Sequence, residues 1–380
     1  MRCVLSKPLG SLTFRLLTAC LLTALSIATR AARGEEPAAN AVDRAQLVDR
    51  AVEFLATSQA DDGSFTAQAG PAITALVTTG LLRNGRSVND PLVAKALAYI
   101  DSFVQDDGGI YKPGSPYQNY ETCVAIMCFA EANQDGRYDG MLAKAEKFIK
   151  GLQWDESEDT DASSFSYGGA GYGGDSRPDL SNTQFFLDAL KSVGNGADDP
   201  AVQKALIFVS RCQNLETEHN TTPFAALVQD GGFYYTCAAG GGDAGDDEKG
   251  PLRSYAGMTY AGLKSMLFAG VGPDDPRVKA ALEWIGKNYD LTQNPGMQPG
   301  DAGLYYYYHT FAKALDALGQ DEFVDADGAA HNWRAELIAE LAARQRDNGA
   351  WSNDNRRWFE SDPNLATSFA LLALSYCREE

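Results

Sequence analysis

One short turn recurs along the chain, and this recurrence constrains the fold more than any other feature of the sequence. Its clearest copies are TSQADDGSFTA at residues 57–67 and RQRDNGAWSND at residues 344–354. Both contain a glutamine, then Asp or Asn, then glycine, a small residue and an aromatic. Weaker copies are VQDDGGIY at 104–111 and VQDGGFYY at 228–235. A turn repeated at intervals of tens of residues indicates a repeat architecture.

Segments in which apolar residues recur at helical spacing flank these turns and form six helix-turn-helix pairs. The first helices carry charges along one face, and three of them open with Asp-Pro, where Asp can cap the helix and proline pre-sets its first turn. The second helices hold few charges, and no stretch between helices alternates as a strand would. We expect the pairs at residues 38–85, 90–133, 138–194, 199–270, 275–319 and 332–376.

The weakly charged second helices are predicted to be buried, and the first helices to form an outer wall. Such pairs can stack as an open solenoid or close on themselves. The last pair is as apolar as the others, so neither end has the polar surface of a capping repeat. The sequence therefore predicts an all-α fold, an α/α toroid of six helix pairs with long loops on one edge.

The N-terminus has the pattern of a cleavable secretory signal. Three basic residues precede an apolar run at 16–28 that is short for a membrane span, and small residues follow it. Leu17–Cys20 also fits a lipoprotein processing box, which is a minor alternative, and an ordinary apolar first helix is another. We expect a secreted or periplasmic protein with a signal peptide at 1–32, a short linker at 33–42 and the toroid at 43–380.

Composition excludes some partners. The formal net charge is −19, and such an acidic surface repels nucleic acid and anionic membranes. No transmembrane segment is expected in the mature chain. The five cysteines beyond the signal are scattered and form neither a disulfide framework nor a CxxC metal site. We therefore expect most of these cysteines to pack in the core as small apolar side chains.

The turns and helix pairs together resemble the prenyltransferase and squalene-cyclase repeat family. The resemblance covers the chain from about residue 42 onwards and rests on QADDGSF, QDDGGIY, QDGGFY and QRDNGAW. It implies an α/α toroid in which inner helices surround a central cavity. The acidic motifs of catalytic members are incomplete, because DTDA at 159–162 and DAGDD at 243–247 do not match DxDD, and DDEKG at 246–250 lacks half of DDxxD.

One part of the chain is similar to the zinc site of protein prenyltransferase β subunits. Asp230 matches their Asp ligand, and Tyr308, His309 and Thr310 match their Tyr-His-Thr string. The resemblance makes Asp230 and His309 candidate catalytic and metal-binding residues, with zinc as the implied cofactor. Other positions of the family site differ, since its cysteine, two cations and a tyrosine are replaced by Gly232, Phe224, Leu227 and Phe233. Without the thiolate such a site would bind zinc weakly.

Aromatic residues cluster at the turns and at the starts of the second helices. Only one or two of the tyrosines at 305–308 can face a cavity, because successive helical residues point in different directions. Glycine-rich inserts at 166–179 and 238–254 are predicted to lie on the same edge, where a binding or lid function would lie. The candidate ligand-binding residues are Tyr308, His309, Tyr255, Tyr260, Phe233 and Tyr120.

Three functions fit these features. The first is binding of an apolar small molecule in the central cavity, which a dry aromatic pocket would favour. The second is a carbohydrate-active enzyme, a polysaccharide lyase or hydrolase acting on a glycan, which two carboxylates about 5–10 Å apart beside tyrosines would favour. The third is a structural or interaction module, which a pocket filled by side chains would favour.

Overall fold

The computed structural model describes residues 43–223, 225–238 and 252–378. Six outer helices alternate with six inner helices along the described chain. The outer helices are α1 (Arg44–Ser58), α3 (Pro91–Asp101), α5 (Asp139–Lys150), α7 (Pro200–Arg211), α10 (Pro276–Lys287) and α12 (Trp333–Arg344). The inner helices are α2 (Ala72–Arg83), α4 (Gln118–Ala132), α6 (Leu180–Ser192), α9 (Ala256–Phe268), α11 (Leu304–Leu318) and α13 (Pro363–Leu374).

The inner helices form a closed ring. Each contacts the next in the order α2, α4, α6, α9, α11 and α13, and α13 packs against α2. The outer helices surround this ring, with α1 on α13, α3 on α2 and the others in the same pattern. The predicted all-α toroid of six helix pairs is therefore confirmed.

Two small elements lie outside this pattern. A short helix α8 (Ala225–Val228) lies in the insert before α9. A hairpin of two-residue strands, β1 (Phe323–Val324) and β2 (Ala330–His331), connects α11 to α12. No strand is predicted from the sequence at these positions, because strands of two residues are too short to show alternation.

Burial explains the different compositions of the two helix sets. Every residue of α13 from 364 to 374 is buried, which fits a helix packed on all sides. In α10 the buried residues lie on one face, and the opposite face is in solvent. The predicted Asp-Pro helix starts are confirmed, since Asp90, Asp199 and Asp275 each accept a hydrogen bond from a backbone N–H of the helix they cap.

A glutamine side chain in four of the turns connects neighbouring repeats. Its Nε2 donates both to the glycine carbonyl of its own turn and to a carbonyl near the start of the following outer helix. These pairs of acceptors are Gly63 and Leu92 for Gln59, Gly168 and Ala201 for Gln153, Gly231 and Arg277 for Gln213, and Gly349 and Leu47 for Gln345. The turn motif is thus a joint between repeats, and its last copy closes the ring.

In the turn before α9, the glutamine that connects the repeats is not the one that the sequence motif indicates. In VQDGGFYY the nearest glutamine is Gln229, but its Nε2 donates only to the carbonyl of Ala225, 3.0 Å away. Gln213 makes the connecting bonds to Gly231 and Arg277 instead. An insert separates Gln213 from its glycine, and this separation hides the motif in the sequence.

The turn glycines are required by both conformation and space. Gly63 has a φ of +91°, and a Cβ there would lie 2.3 Å from the carbonyl oxygen of Lys95 in α3. Gly349 repeats this arrangement against Arg50 of α1, with a φ of +87° and a distance of 2.1 Å. Only glycine permits such a close approach of the turn to the next outer helix.

Some sequence predictions fall on residues that the structure does not describe. They include the signal peptide at 1–32, the linker at 33–42, the acidic residues at 243–248 and Phe224. Within the described ranges, none of the helices is both long enough and apolar enough to cross a bilayer.

Candidate functional site

A cavity of about 650 Å³ opens at the end of the toroid where the inner helices begin. Each inner helix contributes residues from its N-terminal half, among them Ile73, Glu121, Phe185, Met258, Tyr306 and Leu365. The inner helices therefore all run in the same direction, with their N-terminal ends at the cavity.

Aromatic side chains form a large part of the cavity wall. Tyr120 packs edge-on against Phe185 with ring centroids 5.3 Å apart, and Tyr117 packs in the same way against Tyr172 at 5.3 Å. The aromatic lining residues are Tyr117, Tyr120, Tyr172, Phe185, Tyr235, Tyr255, Tyr306, Trp358, Phe359 and Phe369. Such a wall offers large apolar surfaces with a few polar edges.

Phe185 and Phe369 form part of the cavity floor, and His309 lies behind them. His309 of α11 lies between Phe185 and Phe369, with ring centroids 6.5 and 5.9 Å away and interplanar angles of 13° and 22°. Both phenylalanines line the cavity, and His309 is fully buried among them. Burial, followed by the charge of Lys313, holds the pKa of His309 well below its usual value, so the imidazole is neutral.

A buried ion cluster lies on the far side of this floor, in the C-terminal halves of the inner helices. Asp188 of α6 contacts Lys264 Nζ of α9 and Lys313 Nζ of α11, each at 2.8 Å. Burial lowers the pKa of Lys264 to about 7 and that of Lys313 to about 8, although Asp188 partly offsets it. The two lysines overcome the effect of burial on Asp188 and lower its pKa to about 2.

Two buried carboxyl groups belong to the cavity wall. Glu121 accepts hydrogen bonds from the backbone N–H of Lys112 and the hydroxyl of Ser115, both at 2.7 Å. Burial raises the pKa of Glu121. These bonds hold the segment between α3 and α4 against the cavity, so Glu121 has a clear structural role.

Glu360 plays a similar role at the start of α11. Its carboxylate accepts from the backbone N–H groups of Tyr306 at 2.8 Å and Tyr305 at 3.3 Å, and from Asn353 Nδ2 at 2.8 Å. Burial raises the pKa of Glu360 to about 7 despite these donors. This carboxyl group is therefore partly protonated at neutral pH.

Strained backbone presents aromatic side chains at the cavity mouth. Trp358 and Phe359 have φ angles of 52° and 65°, which are unfavourable for bulky residues. Both side chains line the cavity and are partly exposed, as is Tyr117. Strain of this kind is often found where side chains serve a function.

Two polar atoms of the cavity wall have no hydrogen-bond partner among the described residues. They are Asn182 Oδ1 on α6 and Tyr306 Oη on α11, and both atoms are buried. His309 Nδ1 and Nε2 are also unpaired, but His309 is not itself a lining residue. Buried polar groups are normally paired, so unpaired ones in a cavity wall suggest a ligand or ordered water.

The six candidate ligand-binding residues have different positions. Tyr120 and Tyr255 line the cavity. Tyr308 lies away from it and donates to the carbonyl of Leu291, 2.7 Å distant. Tyr260 packs on Tyr307 and Phe311, and Phe233 packs on Gly262. His309 lies behind the floor, against Phe185. Among the tyrosines at 305–308 it is Tyr306 that lines the cavity.

Asp230 and His309, the candidate catalytic and metal-binding residues, occupy different surroundings. Asp230 Oδ1 accepts from Gly232 N at 3.0 Å and Ser254 Oγ at 2.7 Å, and its Oδ2 accepts from Trp284 Nε1 at 3.2 Å. His309 is enclosed by aromatic rings. In the part of the chain that the structure describes, no three His, Cys, Asp or Glu residues are grouped as a metal site would require. The weak zinc binding that the sequence leads us to expect at this pair stays a prediction.

Several lining residues were not among the candidates. Trp358, Phe359 and Glu360 follow the last turn motif, in a segment predicted only as a connection. The adjacent aromatic residues Trp358 and Phe359 could have indicated this part of the site, because binding residues are often found in loops next to a rigid element.

Comparison with known proteins supports the fold. No family model matches the sequence, and no curated protein matches it. A structure described as a protein from Actinoplanes is similar, with 15% identity and a TM-score of 0.54 over 88% of this chain and 99% of that one. The two chains share a fold.

Structures of a type II terpene cyclase, MstE from Scytonema, are also similar. The apo enzyme has 16% identity and a TM-score of 0.47 over 87% of this chain and 97% of its own. A variant in complex with geranylgeranyl dihydroxybenzoate has 14% identity and a TM-score of 0.33 over 88% and 97%. At these values the likeness carries no argument about what the present chain binds.

Proposed function

We propose that the protein binds a neutral, apolar small molecule in its central cavity. The observation that carries the proposal is the cavity of about 650 Å³ with its aromatic wall. Small-molecule sites are usually concave, mostly apolar and between about 300 and 1,000 Å³, with a few polar groups that orient the ligand. A cavity of this kind at the axis of a closed ring fits binding better than it fits an interaction module, whose interior would be filled by side chains.

The charges around the cavity favour a neutral ligand over an anionic one. Among the described lining residues, Lys112 is the one with a basic side chain. The acidic lining residues are Glu121 and Glu360, and both are buried. A diphosphate would need several cations to replace its water, so the wall does not suit such a group.

The cavity carboxyl groups support binding rather than catalysis of cyclisation. Protonation of an alkene needs a strong acid, whereas burial raises the pKa of Glu360 to about 7 and makes its carboxyl a weak one. Burial acts on Glu121 in the same direction. Neither group is suited to the initiating step of a proton-driven cyclase.

The carbohydrate-active alternative has less support. A glycosidase needs one carboxyl as acid and another as base or nucleophile, each able to reach the substrate. Glu121 and Glu360 both accept hydrogen bonds from backbone N–H groups of the wall, which fix them in structural positions. We therefore propose no second function.

Energy transfer to a fluorescent apolar compound tests the proposal. Trp358 lines the cavity mouth, so excitation of tryptophan should produce emission from bound 1-methylpyrene. We expect a saturable signal with one site per chain. Met258→Phe, which fills part of the cavity, should weaken binding, and Val324→Phe, a change of the same kind on the exposed strand β1, should not.

Two further observations make the test decisive. Trp358→Phe should lower the transfer signal, whereas direct pyrene emission still reports binding. Circular dichroism should confirm that each variant keeps its helices. A linear, unsaturable signal, or equal binding by the Met258→Phe variant, would contradict the proposal.

We also propose, from the sequence alone, that the protein is exported. N-terminal sequencing of the protein recovered from the periplasm or medium should begin near residue 33. A lipid-modified Cys20 would support the lipoprotein alternative, and an intact Met1 would contradict cleavage.

A further inference from the structure

We propose that the ligand carries a hydroxyl group, which Asn182 and Tyr306 recognise together; this inference rests on the proposed function. Both side chains line the cavity, and Asn182 Oδ1 and Tyr306 Oη are buried without a hydrogen-bond partner among the described residues. A site with one free acceptor and one free phenol is built for a group that both donates and accepts.

The orientation of the Asn182 amide is fixed by Asp179, the residue that caps α6. Asn182 Nδ2 donates to Asp179 Oδ2 at 2.7 Å, and Asn182 N donates to Asp179 Oδ1 at 2.8 Å. The reversed amide would place an oxygen against a carboxylate oxygen, which is unfavourable. Asn182 Oδ1 is therefore the atom that remains free, and with the residue only 1% exposed it has little access to solvent.

The position of Tyr306 is fixed from two sides. Its ring packs edge-on against Phe185 and Phe369, with centroids 6.2 and 5.8 Å away. Its backbone N–H donates to Glu360 at 2.8 Å. Burial raises the pKa of the Tyr306 phenol, which keeps it neutral and able to donate.

Asn182 is flanked on α6 by two residues that lie near Tyr306. The hydroxyl of Ser181, the residue next to Asn182, lies close enough to the Tyr306 phenol to offset part of the effect of burial on its pKa, but the two groups do not meet the geometry of a hydrogen bond. Phe185, one turn further along α6, contacts the Tyr306 ring. Side chains of α6 and α11 thus meet across the cavity, although α9 lies between these helices in the ring.

A hydroxyl is the smallest neutral group that satisfies both atoms. It can donate to Asn182 Oδ1 and accept from Tyr306 Oη. A hydrocarbon satisfies neither, and a ketone or ether satisfies only the phenol. A site with polar atoms of this kind discriminates strongly against an analogue that lacks the matching group, because those atoms then stay buried and unpaired.

A pair of nearly isosteric probes tests the inference. The alcohol 1-pyrenemethanol differs from 1-methylpyrene by one oxygen, and both report binding by energy transfer from tryptophan. We expect the wild-type protein to bind the alcohol at least about tenfold more tightly. In Tyr306→Phe and Asn182→Leu this preference should fall towards one, because the alcohol loses the partner of its oxygen.

Tyr120→Phe is the matched control, since it removes another phenol oxygen from the same cavity and should keep the preference. Because Asn182→Leu also loses the bond to Asp179, its melting temperature is measured beside that of Tyr306→Phe, which removes the hydroxyl alone.

The possible results separate the two proposals. Equal wild-type affinities for both probes would overturn the hydroxyl inference and leave the proposed function standing. A preference retained in both variants would overturn the assignment of these residues. Binding of neither probe would overturn the proposed function itself.

Discussion

The side-chain amide of Gln345 donates to the carbonyl oxygen of Leu47, 2.9 Å away, and so connects the last turn of the toroid to its first helix. The same nitrogen donates to the carbonyl of Gly349, also at 2.9 Å. Gln59 and Gln213 form the equivalent pairs inside the chain. The ring is therefore closed by the same contact that joins its successive repeats.

Substitution of a connecting glutamine should destabilise the toroid. We expect Gln345→Ala and Gln213→Ala each to lower the free energy of unfolding by about 1–3 kcal/mol, because carbonyl acceptors lose their donor. Gln229→Ala is the control, and its effect should be within about 0.5 kcal/mol, because Gln229 Nε2 donates only to Ala225 and its Oε1 accepts a long, exposed bond from Glu216 N at 3.5 Å. Urea denaturation measures all three. An equal loss in Gln229→Ala would show that the sequence motif, and not the observed contact, marks the structural glutamine.

The buried ion cluster gives a second prediction. Asp188→Asn leaves Lys264 and Lys313 without their counter-charge, and we expect the free energy of unfolding to fall by about 3–5 kcal/mol. Replacing all three with apolar residues, as Asp188→Leu with Lys264→Met and Lys313→Met, should recover much of the loss. Lys279→Met, which breaks an exposed contact with Asp274, should cost less than about 1 kcal/mol. A small effect of Asp188→Asn would contradict the pairing.

The raised pKa of Glu360 predicts that its contribution to the free energy of unfolding falls as the pH rises from about 4.5 to about 7. Its pKa is about 7 in the folded protein and 4.5 ordinarily, so in this window the folded state keeps a proton that the unfolded state has released. Each unit of pKa difference is equivalent to about 1.4 kcal/mol. Glu360→Gln should flatten the profile measured by urea denaturation, and Glu53→Gln on the exposed face of α1 should not.

Other groups titrate near this window. Asp179, with a pKa raised to about 6, acts in the same direction at lower pH. Lys264, with a pKa lowered to about 7, makes stability rise only above that pH, because there the folded state has lost a proton that the unfolded state keeps. The difference between the wild-type and Glu360→Gln profiles isolates Glu360. A constant difference between pH 4.5 and 7 would contradict the assignment.

Zinc binding is tested by metal content and thermal shift. We expect no stoichiometric zinc, because both Asp230 oxygens already accept hydrogen bonds. Zinc should leave the melting temperatures of the wild-type protein and of Asp230→Asn equally unaffected. Stoichiometric zinc that is lost in His309→Ala would establish a metal site and require a third ligand.

The fold could be predicted from the sequence because its determinants are local and repeated. Asp-Pro helix starts and turn glycines such as Gly63 each act within a few residues, so they are visible in a linear pattern. Gln213 was missed because an insert separates it from Gly231. A linear sequence pattern does not reveal a contact between two residues that are far apart in the chain.

The cavity lining was less predictable because it depends on rotation and on irregular backbone. Tyr306 and Tyr308 are two positions apart, so they point to nearly opposite sides of α11, and only the packing of that helix decides which faces inward. Trp358 and Phe359 reach the cavity through positive φ angles, which their residue types do not favour.

Phe185 and Phe369 line the cavity, and His309 lies behind both of them. Asp188 follows Phe185 by three residues and Lys313 follows His309 by four, so about one helical turn separates these rings from the buried ion pair. Loss of a ring at Phe185 or Phe369 would therefore extend the apolar ligand space towards a pair of charges, and the protein would have to solvate ions that it now keeps dry.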